Sequence, residues 1–376
     1  MVFPSRVVTQ LHGSNGNRPR IVLPCLNHIL IVIGPVHALT YSSSPSTYIL
    51  TGSADRSIRL YNPSRPSQPQ SQNNLTPPKP TQLIQTYSAH GYTILSLTVS
   101  NDNATFASAG GDRSVFLWDV ATAKTLRRFG GNQGHTSRIN SVTFAGDNDA
   151  ILISGGYDAS VRIWDIRQHT SHKPIMVLTE AKDSISAVLA ARDGGANSYE
   201  ILAGSVDGRV RTYDIRMGKM EEDTIGASVT SLTRTRDGKG VLVGCLDSSI
   251  RLMDRDNGGL LKRYEGFTNN EYRLESTFGA NERYVLCGNE IATEKSNTNG
   301  IVSGEVVVWD TVSGKVVERV CVPGNSSENR KRVVGNDGKE KERQNIISCL
   351  AWKENGRGDQ WCCAGTDGVV TVFGPP

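Results

Sequence analysis

Ser108-Ala-Gly-Gly-Asp112-Arg-Ser-Val-Phe-Leu-Trp118-Asp119 and Ser154-Gly-Gly-Tyr-Asp158-Ala-Ser-Val-Arg-Ile-Trp164-Asp165 are two copies of one pattern. Its frame returns at Asp55 to Tyr61, Asp207 to Tyr213, Asp247 to Met253 and Asp367 to Phe373, each time with a large residue six positions after the aspartate. A seventh copy, Ser303-Gly-Glu-Val-Val-Val-Trp309-Asp310, keeps the spacing and the Trp-Asp but has Ser303 in place of the acid. Alternating Val, Ile and Leu around Gly, Asp and Ser predict strand, tight turn, strand in every copy. A further alternating run lies upstream (Ile94 to Thr98, Ile139 to Phe144, Val229 to Thr233, Ile346 to Ala351). Another lies downstream (Leu83 to Tyr87, Thr125 to Phe129, Leu260 to Tyr264, Val316 to Val320). Four strands per repeat, seven repeats and no useful helical periodicity predict an all-β fold built from repeating four-stranded units.

This pattern resembles the WD40 family of β-propellers, and the resemblance covers most of the chain. It implies a seven-bladed ring in which a histidine before the first strand, a serine in the second, the turn aspartate and the third-strand tryptophan bond one another inside a blade. His90, Ser108, Asp112 and Trp118 match that set, as do His135, Ser154, Asp158 and Trp164. Elsewhere Gly266-Phe267 stands where Gly-His is expected, and Ala181, Ala203 and Met253 replace other members, so those blades are expected to rely more on apolar packing. Family members close the ring with a strand from the N-terminal end. After Phe373 only three residues remain, so the run Val7-Val8-Thr9-Gln10-Leu11 is expected to supply the fourth strand of the last blade and remove its open edge.

Seven repeats of about 43 residues account for most of the 376 residues, and the remainder falls into four inserts within a single propeller spanning 1–376: 12–33, 62–80, 289–300 and 324–344. The second is rich in Pro, Ser, Gln and Asn and reads as an extended loop. The fourth carries Arg330-Lys331-Arg332, a weak nuclear-import pattern that better suits a solvated loop. The first contains Ile29-Leu-Ile-Val-Ile33, an apolar run ill suited to a surface loop; it is either a mispredicted exon boundary or a strand packed on the ring. Net charge is +4, and most of the excess sits in the inserts. Seven scattered cysteines without a C-x-x-C pair point to reduced thiols, and Met1 to Gln10 lacks a secretory layout. The most apolar stretch, 21–33, is shorter than the ~20 residues of a membrane span. A cytoplasmic and nuclear protein without membrane contact is expected.

Serine, histidine and aspartate together suggest a hydrolase, but Ser108 and Ser154 lie within strands facing their own tryptophan, not on a strained turn in a cleft. Gly130-Gly131-Asn132-Gln133-Gly134 resembles a phosphate loop, yet a strand follows it where a helix N-terminus is needed. His169 and His172 lack accompanying ligands, so no metal site and no cofactor are expected, and basic residues are not interleaved with aromatics for direct nucleic-acid reading. What remains is a non-enzymatic binding platform, monomeric within larger complexes, whose candidate protein-binding anchors are Arg113, Tyr157, Arg209 and Tyr272 in or beside predicted turns.

Glu200-Ile-Leu-Ala-Gly-Ser-Val-Asp-Gly-Arg-Val-Arg-Thr-Tyr-Asp-Ile-Arg-Met-Gly218 and Tyr264-Glu-Gly-Phe-Thr-Asn-Asn-Glu-Tyr-Arg-Leu274 look like the mitogen-activated protein kinase organizer subfamily of WD-repeat scaffolds. That resemblance implies partners among kinase-cascade components and splicing factors. Trp164-Asp-Ile-Arg167 and Tyr213-Asp-Ile-Arg216 match a second pattern, that of substrate receptors of cullin-RING ubiquitin ligases. There Arg167 and Arg216 would meet a ligase adaptor; alternatively each pairs with a nearby acid on the rim.

Overall fold

The computed structural model describes residues 28–31, 34–64, 82–168, 172–190, 200–291, 304–322, 333–334, 340–341, 345–353 and 360–374. Seven antiparallel four-stranded sheets form the blades of a propeller. Blade one comprises Val36–Tyr41, Ile49–Ser53, Ile58–Tyr61 and Leu83–Tyr87; blade two Ile94–Val99, Thr105–Gly110, Val115–Asp119 and Thr125–Phe129. Blade three comprises Ile139–Ala145, Ile151–Gly156, Val161–Asp165 and Met176–Leu178; blade four Ile185–Ala190, Glu200–Ser205, Arg209–Asp214 and Lys219–Thr224. Blade five comprises Val229–Arg234, Gly240–Cys245, Ile250–Asp254 and Leu260–Tyr264; blade six Ser276–Gly279, Tyr284–Asn289, Gly304–Asp310 and Val316–Val322. Blade seven joins Ile347–Trp352, Trp361–Gly365 and Val369–Phe373 to a fourth strand from the other end of the chain, His28–Ile31.

The ring closes as expected with an N-terminal strand, but a different one. His28 to Ile31 pair with Val372 to Val369, so the place expected for Val7–Leu11 is filled; that run lies outside the described residues. The strand sits inside the stretch read as insert 12–33, and it explains the apolar run there. Only a short link separates Ile31 from Val36, the first residue of blade one, whereas a strand ending at Leu11 would need a long crossing. Short connections are the rule between neighbouring strands. Of the other inserts, Asn62 to Ser64 and Asn289 to Ile291 are described, and Val333–Val334 pair with Glu340–Lys341 in a small hairpin; the remaining residues of 62–80, 289–300 and 324–344 lie outside the described residues.

Each blade presents both faces to neighbours, which is why the second and third strands are apolar almost throughout. Thr105–Gly110 and Val115–Asp119 are buried along nearly their whole length, while the outermost strands alternate or are exposed. Among the described residues the core divides into seven apolar clusters, one per blade interface. Leu50, Ile58 and Tyr87 of blade one, for example, pack on Ile94, Phe106 and Trp118 of blade two. The closing interface is equivalent: Val36, Leu39 and Ile49 of blade one meet Cys349, Cys362 and Val370 of blade seven. The only helical element among the described residues is a single 3-10 turn, Asp147–Asp149.

Candidate functional site

In a four-stranded meander the turns between strands two and three, and the links to the next blade, gather on one rim of the ring. Turns between strands one and two, and three and four, gather on the other. Arg113, Tyr157, Arg209 and Tyr272 therefore share the first rim with His90, Asp112, His135 and Asp158. Arg167 and Arg216, which follow third strands, lie on the second.

The two full polar sets assemble as their spacing predicts. In blade two the Trp118 Nε1–H donates to Ser108 Oγ at 2.8 Å, Ser108 Oγ lies 2.6 Å from His90 Nε2, and His90 Nδ1 lies 2.5 Å from Asp112. Asp112 also accepts the Gly91 N–H at 2.8 Å. A carboxylate only accepts, so His90 Nδ1 carries the proton and Nε2 receives the Ser108 hydroxyl. Burial, working against the attraction of Asp112, lowers the His90 pKa and keeps the ring neutral. Blade three repeats the arrangement: Trp164 to Ser154 at 2.8 Å, Ser154 to His135 at 2.8 Å and His135 to Asp158 at 2.9 Å. Burial opposes ionisation of Asp158, but hydrogen bonds from His135, the Thr136 N–H and Ser160 outweigh it and hold the carboxyl well below the usual range. Ser108 and Ser154 are fully buried and their oxygens are engaged on both sides. Neither hydroxyl faces a space that a substrate could enter, so these sets order the turns. Gly130 to Gly134 forms a turn, with the Gly134 N–H on the Gly131 carbonyl, and leads into the strand Ile139–Ala145.

Blades lacking the full set do not rely on apolar packing alone. In blades one, four and five the turn aspartate meets an arginine four residues on: Asp55–Arg59 at 2.5 Å, Asp207–Arg211 at 2.8 Å and Asp247–Arg251 at 2.5 Å. Arg211 is wholly buried and also reaches Glu222 at 2.9 Å. The Asp-x-x-x-Arg spacing was visible in the sequence, but only the turn geometry brings the pair together. Blade six substitutes differently. Phe267 packs edge-on against Trp309, with ring centroids 5.3 Å apart, and the Trp309 N–H donates to the Glu265 carbonyl at 2.8 Å. Buried Cys287 takes the position of the serine, as the matching registers of the two blades show.

Of the sequence-predicted anchors, Tyr157 is half exposed and stacks under Arg138, whose guanidinium lies 4.7 Å from the ring centroid. Arg113 is exposed in the blade-two turn. Arg209 is tied to Glu222. Tyr272 stands on a loop that sequence reasoning could not explain. Glu290, inside the stretch read as an insert, is buried and accepts the backbone N–H groups of Asn270, Glu271 and Tyr272 at 2.9, 2.9 and 2.7 Å. On the second rim Arg167 forks onto Asp165 at 3.1 and 3.2 Å, the pairing that a solvated rim charge makes. The Arg216 N–H donates to Asp214 at 2.9 Å. Among the described residues no group of His, Cys, Asp and Glu side chains is placed to hold a metal ion.

One residue of the 264–274 stretch, to which its sequence assigns no role, spans the centre of the ring. Arg273, from the link into blade six, donates to the Asn140 carbonyl of blade three at 2.6 Å and the Thr230 carbonyl of blade five at 3.2 Å. Beside it Glu275 keeps 29% of its side chain exposed, yet the surrounding inner strands desolvate the carboxyl and push it up to about 7, with Arg273 at 4.0 Å only partly offsetting the effect.

The family description WD domain, G-beta repeat matches residues 28–62, 81–119 and 124–165. WD repeat domain-containing protein 83 of Rattus norvegicus is 36% identical over 292 residues, covering 78% of this chain and 80% of that protein. This chain is a WD40-repeat protein. As a WD40 protein homologous to WD repeat domain-containing protein 83, it is also 37% identical to the Homo sapiens protein over 281 residues, 75% of this chain and 77% of that one. The Dictyostelium discoideum homologue is 29% identical over 311 residues, 76% of this chain and 85% of that one. The match to residues 28–62 begins at the closing strand, so in this WD40 protein His28–Ile31 belongs to the repeat itself.

Proposed function

We propose that this WD40 protein is a non-enzymatic scaffold that assembles protein complexes in kinase-cascade signalling and pre-mRNA splicing, working in both cytoplasm and nucleus. The observation that carries the scaffold reading is the division of labour among its polar residues. Ser108, His90 and Asp112, and Ser154, His135 and Asp158, are consumed inside blades two and three, while Tyr92, Arg113, Arg138 and Tyr157 remain exposed on one rim. Large planar side chains of this kind are the usual anchors of protein interfaces. The two named processes rest on the resemblance of residues 200–218 and 264–274 to the organizer subfamily. Homology to WD repeat domain-containing protein 83 along three quarters of the chain supports the same subfamily.

Affinity purification from separate nuclear and cytoplasmic extracts tests this reading. Splicing factors in the first and kinase-cascade proteins in the second are expected. Recovery of neither, or ester hydrolysis that depends on Ser108, contradicts it. The ligase-receptor alternative has its own control: adaptor recovery that disappears in Arg167→Ala plus Arg216→Ala would revive it.

A further inference from the structure

Most rim arginines of this protein are spoken for. Arg59, Arg162, Arg209, Arg251, Arg263 and Arg319 each lie within ion-pair distance of a carboxylate. Between blades two and three the rule fails. A cleft there is lined by Tyr92, Arg113, Arg128, Arg138 and Tyr157. All three arginines are exposed, and among the described residues none forms an ion pair. Two of them lie over aromatic rings instead, Arg128 over Phe116 at 5.1 Å and Arg138 over Tyr157 at 4.7 Å. The one carboxylate in the cleft, Asp112, is turned inward on His90 and the Gly91 N–H. Tyr92 and Tyr157 are 64% and 53% exposed, although large aromatic residues elsewhere in blades two and three are buried.

The three cations reach the one cleft from three different elements. Arg128 stands on the outermost strand of blade two, Arg113 in the turn between its second and third strands, and Arg138 at the foot of the innermost strand of blade three. Three guanidiniums outside any ion pair, beside two exposed tyrosines, can each take a single carboxylate of an extended chain laid along the cleft. Stacked guanidiniums are also held ready to meet carboxylates, having lost side-chain freedom in advance.

Building on the scaffold reading, we infer that this cleft docks an extended acidic segment of a partner protein, with successive Asp or Glu carboxylates on Arg128, Arg113 and Arg138 and the chain lying across Tyr92 and Tyr157.

Fluorescence anisotropy of the full-length protein with a labelled octaglutamate peptide tests it. Saturable binding that weakens steeply with added salt is expected. Arg113→Ala plus Arg138→Ala should weaken it at least tenfold with an unchanged melting temperature, and Arg263→Ala, on a rim arginine paired with Glu265, should leave it unaltered. Arg113→Glu plus Arg138→Glu should abolish octaglutamate binding and create binding of octalysine, a gain that misfolding cannot produce. Absence of octaglutamate binding, equal weakening by Arg263→Ala, or tighter binding of a neutral peptide bearing one phosphoserine would overturn the inference. If octaglutamate fails to bind while defined splicing or kinase-cascade partners are still captured, the cleft is wrong and the scaffold reading stands. If neither occurs, the scaffold reading falls with it.

Discussion

Replacing Ser108 by Ala removes one hydroxyl and little volume, yet it should be among the costly substitutions in blade two. That oxygen accepts the Trp118 N–H and donates to His90 Nε2, and all three side chains are buried. Its loss strands a buried donor and a buried acceptor. At about 1 to 3 kcal/mol for each stranded group, the cost is roughly 2 to 6 kcal/mol. Blade six shows how the same fold relieves the loss: Phe267 and Cys287 replace histidine and serine, and Trp309 turns its N–H to the carbonyl two residues before Phe267. His90→Phe plus Ser108→Cys copies that solution, with the Ser88 carbonyl in the place of Glu265. The double variant should therefore cost less than the sum of its single changes, by about 1 to 3 kcal/mol. Urea denaturation followed by tryptophan fluorescence measures both quantities. A Ser108→Ala protein within about 0.5 kcal/mol of wild type, or a double variant that equals the sum, would refute the view that the polar set is an energetic unit.

Three further outcomes are expected. Arg211→Ala leaves Asp207 without its buried partner and should cost about 3 to 5 kcal/mol in the same denaturation assay, whereas Arg167→Ala on the exposed second rim should change little. Glu290→Ala frees three backbone N–H groups at once, so hydrogen exchange at Asn270, Glu271 and Tyr272 should accelerate while the Trp118 blade is unaffected. The His90 pKa is lower in the folded protein than the 6.5 of an unfolded chain, so acid favours unfolding. The contribution is complete above about pH 6.5 and is lost as pH falls toward the folded value; urea midpoints between pH 5 and 8 should show this dependence, and it should shrink in the His90→Phe plus Ser108→Cys variant.

The propeller and its two complete polar sets were legible because they are written at fixed local spacings: six residues from Asp112 to Trp118, and again from Asp158 to Trp164. Spacing failed where partners come from different elements. Asp55 and Arg59, or Asp247 and Arg251, sit close in sequence, but their meeting depends on a turn that folds the third strand back past the aspartate. Glu290 was hidden inside an apparent insert, because a side chain that holds another loop leaves no periodic mark. Arg209 looked like a free anchor, and only the fourth strand reveals Glu222 beside it. The closing strand was misplaced because Val7–Leu11 and the run at Ile29 have the same apolar, β-branched character. Connection length, rather than composition, separates them.

Two truncations distinguish those runs directly in a thermal melt. A chain beginning at His28 retains the strand that pairs with Val369–Val372, and a chain beginning at Gly34 lacks it. The first should melt with the full-length protein. The second exposes the Val369–Phe373 edge and opens the ring, and a loss of only ~2 kcal/mol there would lower the melting temperature by several degrees. If the chain beginning at His28 is already as unstable as the chain beginning at Gly34, His28–Ile31 does not close the propeller.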